Sequence, residues 1–178
     1  GWTPQSGTPA PPLPPVTQSN TVTVPMADKS SVSVVLGQPS GLKAGDDGWL
    51  ALRVANEVLG NGFTSRLIGN VRDREGLTYG IGSSLADDSE RPGIWMVQAS
   101  FAPAMLDQGI ASMQREIEHW WRDGITAEEL AFRKTATAGE FTVSLETTSG
   151  LAEQILQCVR RGFDLKWLDE YPAKLSAL

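Results

Sequence analysis

The stretch LTYGIGSSL, which begins at Leu77, most constrains the fold, because the chain changes there from helical spacing to strict alternation. Alternation predicts a strand with Leu77, Tyr79 and Ile81 on one face. The opposite face carries Gly80 and Gly82 and has almost no side chains. Glycine weakens a strand, so this face predicts close approach by a helix or by another backbone.

The remaining patterns predict an α+β domain, a mostly antiparallel sheet with helices packed on one face. Strands are predicted where polar and β-branched residues alternate or apolar residues cluster, at TVTV (21–24), SVSVVLG (31–37) and IWMVQASF (94–101). Helices are predicted over 46–59, from Thr64 or Ser65 to Gly76, from Pro103 to Gly124, from the TAEE capping box at Thr126 to about 145, and from about 150 to 161. The resulting order is β-β-α-α-β-β-α-α-α.

The two ends of the chain differ from this pattern. Residues 1–20, GWTPQSGTPAPPLPPVTQSN, contain six prolines and predict an extended linker, so we place the folded domain at 21–178. The ending LDEYPAKLSAL stops within an apolar helical pattern. We therefore expect a further domain upstream and a domain truncated at its C-terminus.

Composition excludes two classes of partner. Lys and Arg total 15 against 21 for Asp and Glu, a net charge of -6, which argues against nucleic-acid binding through a basic surface. Polar residues interrupt every apolar run well below the roughly 20 residues that span a bilayer, so no membrane span is predicted.

The residues also argue against a catalytic or metal site in this chain. The single histidine, His119, lies in HWWRD, where an H-x-x-E-H zinc motif would need glutamate and histidine at Arg122 and Asp123. The GNGFTS run lacks the lysine of a phosphate-binding loop, and no G-x-S-x-G occurs. We predict no catalytic residue and no metal ligand.

Arg72 and Tyr79 are the candidate binding residues. Arg72 precedes Gly76 by about one helical turn, and Tyr79 follows it by three strand residues, so a reversal at Gly76 lets both side chains reach one spot. A guanidinium and a phenol offer several donors to the carbonyls of an extended peptide. The alternative is structural: Arg72 pairs with Glu75 or another acid, and Tyr79 lies in the core.

The stretch LGNGFTSRLIGNVRDREGLTYGIGSS closely resembles the C-terminal-half signature of the insulinase/pitrilysin metallopeptidase family, which includes mitochondrial processing peptidase. The resemblance extends over about residues 21–178. It implies the family's α+β metallohydrolase-like fold and, because H-x-x-E-H is missing, the non-catalytic half. In that half, an arginine and a tyrosine seven residues apart bind and orient substrate, and Arg72 and Tyr79 have this separation.

The resemblance implies a zinc-free domain, inactive alone, that closes the proteolytic chamber and binds extended peptide beside a zinc-bearing catalytic partner. Arg72 would hydrogen-bond substrate carbonyls or the developing oxyanion, with Tyr79 beside it. Two alternatives stay open: a structural or assembly domain without proteolytic role, and a module that binds peptides by itself. Because bacterial members of this family with such linkers are often exported, the resemblance weakly favours a periplasmic location and leaves the compartment open.

Overall fold

Three antiparallel strands form the sheet in the computed structural model, which describes residues 16–178. They are β1 (Val32–Pro39), β2 (Thr78–Ala86) and β3 (Ile94–Phe101), in the order β1-β3-β2. Ala99 of the central strand pairs with Val34 of β1 on one side and Ile81 of β2 on the other.

Helices pack on one face of this sheet and on one another. They are α1 (Trp49–Gly60), a π-helix (Ile68–Arg74), α2 (Leu106–Asp123) preceded by a 3-10 turn (Pro103–Met105), α3 (Ala127–Ser144), α4 (Thr148–Arg160) and α5 (Lys166–Ser176). None of the helices within residues 16–178 combines the length and apolar character needed to cross a membrane.

The core lies between the helices and the alternating side chains of β3 that include Val97, Ala99 and Phe101. Met113 of α2 is buried there, as the apolar stripe of this helix predicts. Gln98, from the opposite set of β3 side chains, is exposed. The predicted α+β class, with helices packed on one face of an antiparallel sheet, is therefore confirmed.

Three predictions about the elements need correction or stay open. The TVTV strand prediction is wrong: residues 21–24 form no strand and are exposed, because alternation alone supplies no partner for the backbone hydrogen bonds. The predicted element order ends with the helix over 150–161, whereas a further helix, α5, forms where LDEYPAKLSAL shows its helical pattern, and Leu175 is buried within it. The linker prediction for 1–20 falls largely outside the described residues, so the boundary at residue 21 stays a prediction.

Gly82 of β2 lies against Gly60 at the C-terminal end of α1. A Cβ on Gly60 would lie 2.3 Å from the backbone nitrogen of Ser83, and one on Gly82 would lie 2.9 Å from the carbonyl oxygen of Gly60. Ser83 also donates a hydrogen bond from its hydroxyl to the carbonyl oxygen of Asn56 at 3.1 Å. The predicted close approach is confirmed at Gly82, whereas a Cβ on Gly80 would meet nothing within 4 Å.

A buried carboxylate, Asp88, links the β2–β3 connection to two helices. It accepts a hydrogen bond from the Trp49 indole at 2.8 Å and pairs with Arg53 at 3.3 Å and Arg161 at 3.4 Å. Burial raises the pKa of Asp88, but the indole hydrogen bond and the two guanidinium charges outweigh it and bring the pKa below its ordinary value.

The predicted capping box opens α3 and also anchors the segment that leads into the π-helix. Thr126 accepts a hydrogen bond from the Glu129 backbone, and the Glu129 carboxylate accepts one from the Thr126 backbone. The same carboxylate binds both Nε and Nη2 of Arg66 at 2.7 Å. These hydrogen bonds to Arg66, against the effect of burial, lower the pKa of Glu129 from 4.5 to about 2.

Gly60→Ala is expected to destabilise the protein by about 1–3 kcal/mol, because its methyl group would overlap the backbone of Ser83. Gly139→Ala in α3 is the control, since its Cβ meets nothing within 4 Å and alanine favours a helix. Urea unfolding followed by circular dichroism measures both changes. Equal stabilities for the two variants would contradict the close approach.

Glu129→Gln is expected to flatten the acid dependence of stability. The folded-state pKa lies below 4.5, so the unfolded chain binds the proton more tightly, and the stabilisation is lost as pH falls from about 4.5 to about 2. Glutamine retains the capping box but carries no charge. Unfolding free energies measured across this range test the prediction, with the exposed Glu128→Gln as control; a Glu129→Gln profile parallel to the parent's would contradict it.

Candidate functional site

A π-helix positions Arg72. The backbone N–H of Glu75 bonds to the carbonyl oxygen of Asn70, five residues earlier, which widens the helix relative to an α-helix. Val71 is fully buried and fixes the inner side of this helix. The Asn70 amide donates to the buried carboxylate of Glu116 on α2 at 2.7 Å. Arg72 therefore follows two residues, Asn70 and Val71, that fix this helix to the rest of the fold.

The Arg72 side chain is about one-third exposed, at 34%. Its Nε donates to the Asp73 carboxylate at 2.8 Å, and its Cζ lies 5.7 Å from the ring centroid of Phe63. The structural alternative for Arg72, pairing with Glu75 or another acid, is therefore met by Asp73 and not by Glu75, which accepts a hydrogen bond from Arg115 of α2.

The chain reverses at Gly76, as the proposed convergence of Arg72 and Tyr79 requires. Gly76 has a φ of 66°, a conformation that favours glycine. Just after it, the backbone N–H of Leu77 bonds to the carbonyl oxygen of Val71 at 3.0 Å. This bond places the start of β2 beside the π-helix, one residue before Arg72 and two residues before Tyr79.

Tyr79 occupies a β-bulge. Thr78 pairs with Phe101 and Gly80 pairs with Ser100, so Tyr79 lies between them without a partner on β3. Its side chain is 96% exposed. The prediction that Tyr79 shares the face of Leu77 and Ile81 is wrong, because one inserted residue shifts the alternation. The alternative that Tyr79 lies in the core is also excluded.

The hydroxyl of Thr78 stabilises this bulge. It donates to the carbonyl oxygen of Ser100 at 2.6 Å, lies 3.0 Å from the carbonyl oxygen of Gly80 and accepts from the Gly80 N–H at 3.2 Å. These contacts satisfy backbone groups that the broken ladder leaves unpaired. Thr78 therefore holds the conformation that exposes Tyr79.

Two further residues, which the sequence analysis missed, belong to the same region. Phe63 lies on the loop between α1 and the π-helix and is 79% exposed, although burying such a ring typically contributes about 1.5–3 kcal/mol. The buried guanidinium of Arg133 on α3 donates to the Asn61 carbonyl and the Thr64 hydroxyl, both at 3.2 Å. Phe63 could have been noticed in the sequence as a large apolar residue in a glycine-rich loop. Nothing in the sequence around Arg133 indicates that its side chain binds this loop.

The other arginines of the motif and His119 have different surroundings. Arg66 binds Glu129, and Arg74 is exposed. His119 is exposed on α2. Within residues 16–178, no group of three or more His, Cys, Asp or Glu side chains is placed to hold a metal ion. These residues do not fit the zinc ion that the family resemblance suggests for the catalytic half.

The region therefore offers the exposed phenol of Tyr79, the partly exposed guanidinium of Arg72 and the exposed ring of Phe63, on three consecutive backbone segments. Residues 2–137 match the family model described as the peptidase M16 inactive domain. The chain belongs to this family. It is thus an inactive C-terminal domain of the M16 zinc protease family, as the resemblance to the insulinase-like peptidases predicts.

Known proteins similar to this M16 domain agree with the assignment. An uncharacterized zinc protease of Streptomyces coelicolor is 30% identical over 122 residues, 68% of this chain and 26% of that protein. The peptidase M16 inactive domain from Pseudomonas fluorescens superposes with a TM-score of 0.74 at 25% identity, over 84% of this chain and 35% of that one.

The inactive peptidase domain from Bordetella parapertussis has a TM-score of 0.67 at 17% identity, over 87% of this chain and 82% of that one. At this identity the likeness concerns the fold alone. The chain spans about a quarter of the length of the Streptomyces relative, at 26%.

Thr78→Val is expected to destabilise the M16 domain by about 1–3 kcal/mol, because the shape is retained while part-buried backbone groups of Gly80 and Ser100 lose their hydrogen bonds to the hydroxyl. Thr135→Val, at an exposed hydroxyl that bonds within α3, is the control and should change stability by less than about 0.5 kcal/mol. Denaturant unfolding gives both values. A neutral Thr78→Val would contradict the role of this hydroxyl in the bulge.

Proposed function

We propose that this M16 domain binds and orients an extended peptide for a zinc-bearing catalytic domain of the same family and closes the chamber around it. The observation that carries the proposal is the bulge at Tyr79, which exposes this phenol two residues after the hydrogen bond that joins β2 to the π-helix. A bulge commonly re-aims a side chain next to a functional site.

Arg72 supplies the second group. Its Nε is bonded to Asp73, which fixes the plane of the guanidinium and leaves the terminal nitrogens without a hydrogen bond within the described part of the chain. A planar guanidinium with free N–H donors suits the carbonyl oxygens of an extended peptide. In this proposal the Tyr79 hydroxyl donates a hydrogen bond to a neighbouring carbonyl oxygen of the same peptide.

The chemistry divides between two domains in this proposal. Zinc in the partner domain would activate water and polarise the scissile carbonyl. This domain contributes only hydrogen-bond donors, which orient the peptide and stabilise the negative charge that develops on the oxygen of the scissile carbonyl. The separation explains why this half can lack metal ligands and still change the rate of cleavage. A structural or assembly role is the alternative, and it predicts no effect of these donors.

In the full-length protein, Arg72→Ala and Tyr79→Phe are each expected to lower kcat/KM for peptide cleavage by roughly 10²-fold, the typical cost of one such donor. Tyr79→Phe removes only the hydroxyl, so a loss of activity isolates its hydrogen bond. Initial rates on a fluorogenic peptide provide the measurement.

Arg74→Ala is the matched control, because Arg74 is an exposed arginine on the same π-helix. It should stay within about twofold of the parent, since it is outside the proposed site. If Arg72→Ala and Tyr79→Phe also stay within that range while the parent cleaves peptide, the orienting role is wrong and the assembly role gains support.

A further inference from the structure

Phe63 is an exposed ring on an anchored loop. The same buried guanidinium, that of Arg133, binds the carbonyl of Asn61 and the hydroxyl of Thr64, which lie on either side of Phe63. Gly62 takes a φ of 82° and turns the chain between these two anchors. The loop is therefore held from beneath by α3 while the ring projects outward, so binding to the ring requires little ordering of the backbone.

The ring and Arg72 form one unit. The Cζ atom of Arg72 lies 5.7 Å from the centroid of Phe63, within the range of a cation–π interaction. Successive residues of an extended peptide advance about 3.3 Å, so a side chain on or next to the residue whose carbonyl binds Arg72 can reach this ring.

The charges around Phe63 favour an apolar peptide side chain next to its ring. The positive charge of Arg72 is already paired with Asp73 at 2.8 Å, which lowers its attraction for an acidic side chain. A cationic side chain would approach a ring that already has a guanidinium beside it. An apolar or aromatic side chain gains burial against the exposed ring without either conflict.

We propose that Phe63, beside Arg72, is a specificity-determining residue that receives a large apolar or aromatic side chain of the bound peptide. The proposal rests on the peptide-orienting function above and adds a preference to it. Arg72 binds the peptide backbone and acts on all peptides alike, whereas Phe63 distinguishes among them.

The experiment uses the full-length protein and a series of otherwise identical peptides in which each position in turn is Ala, Leu or Phe. We expect the parent to prefer Phe or Leu to Ala at one position by about 10-fold in kcat/KM. Phe63→Ala should reduce this preference to within about twofold, because the Phe and Leu peptides lose more activity than the Ala peptide, and Phe63→Trp should retain the preference. Binding affinities measured by calorimetry for the same peptides provide a second readout of the preference that does not depend on turnover.

Trp121→Ala is the control, because Trp121 is an aromatic residue of similar exposure, 76%, on α2. It should keep the parental preference. Three results would overturn the proposal for Phe63: a parent that shows no preference at any position, a preference that Phe63→Ala retains, and an equal loss of cleavage or affinity for all peptides. A parent preference that depends on Phe63, together with unaffected Arg72→Ala and Tyr79→Phe variants, would overturn the orienting function instead.

Discussion

The close approach of α1 to β2 is the constraint on which the arrangement of the site depends. Gly60 and Gly82 lack side chains where the end of the helix meets the strand, so the two backbones come within a distance that a Cβ would prevent. The loop that carries Phe63 begins directly after Gly60. Because that starting point is fixed against Gly82 and Ser83, the loop that carries Phe63 has a set position relative to the strand that carries Tyr79.

Three departures from regular backbone then place the exposed groups. The loop turns at Gly62, the helix widens where it carries Arg72, and the strand bulges at Tyr79. Each departure has a stabilising contact from elsewhere in the fold: Arg133 of α3 for the loop, Glu116 of α2 for the helix, and the carbonyl of Ser100, which Thr78 binds, for the bulge. Irregular backbone that surrounding contacts stabilise in this way is typical of binding and catalytic sites. The same stabilising contacts allow the rings of Phe63 and Tyr79 to remain exposed.

The M16 family assignment and the geometry of the site answer different questions. Family membership establishes an inactive domain of a zinc protease family, and the fold is shared with related inactive domains. A fold by itself supports many functions. The proposed orienting role is instead argued from the donors of Arg72 and Tyr79, and the proposed side-chain preference is argued from Phe63 and its contact with Arg72.

The sequence by itself determined the α+β class, the strands β2 and β3, the capping box at Thr126 and the separation of Arg72 from Tyr79, because periodicity, caps and motif spacing are local properties. It failed for the TVTV segment, since a strand exists only where a partner supplies hydrogen bonds. Only the tertiary structure decided that Tyr79 is exposed: the bulge depends on the carbonyl of Ser100, a distant residue that the hydroxyl of Thr78 reaches. Likewise, the anchoring of the Phe63 loop depends on a guanidinium from α3, far along the chain.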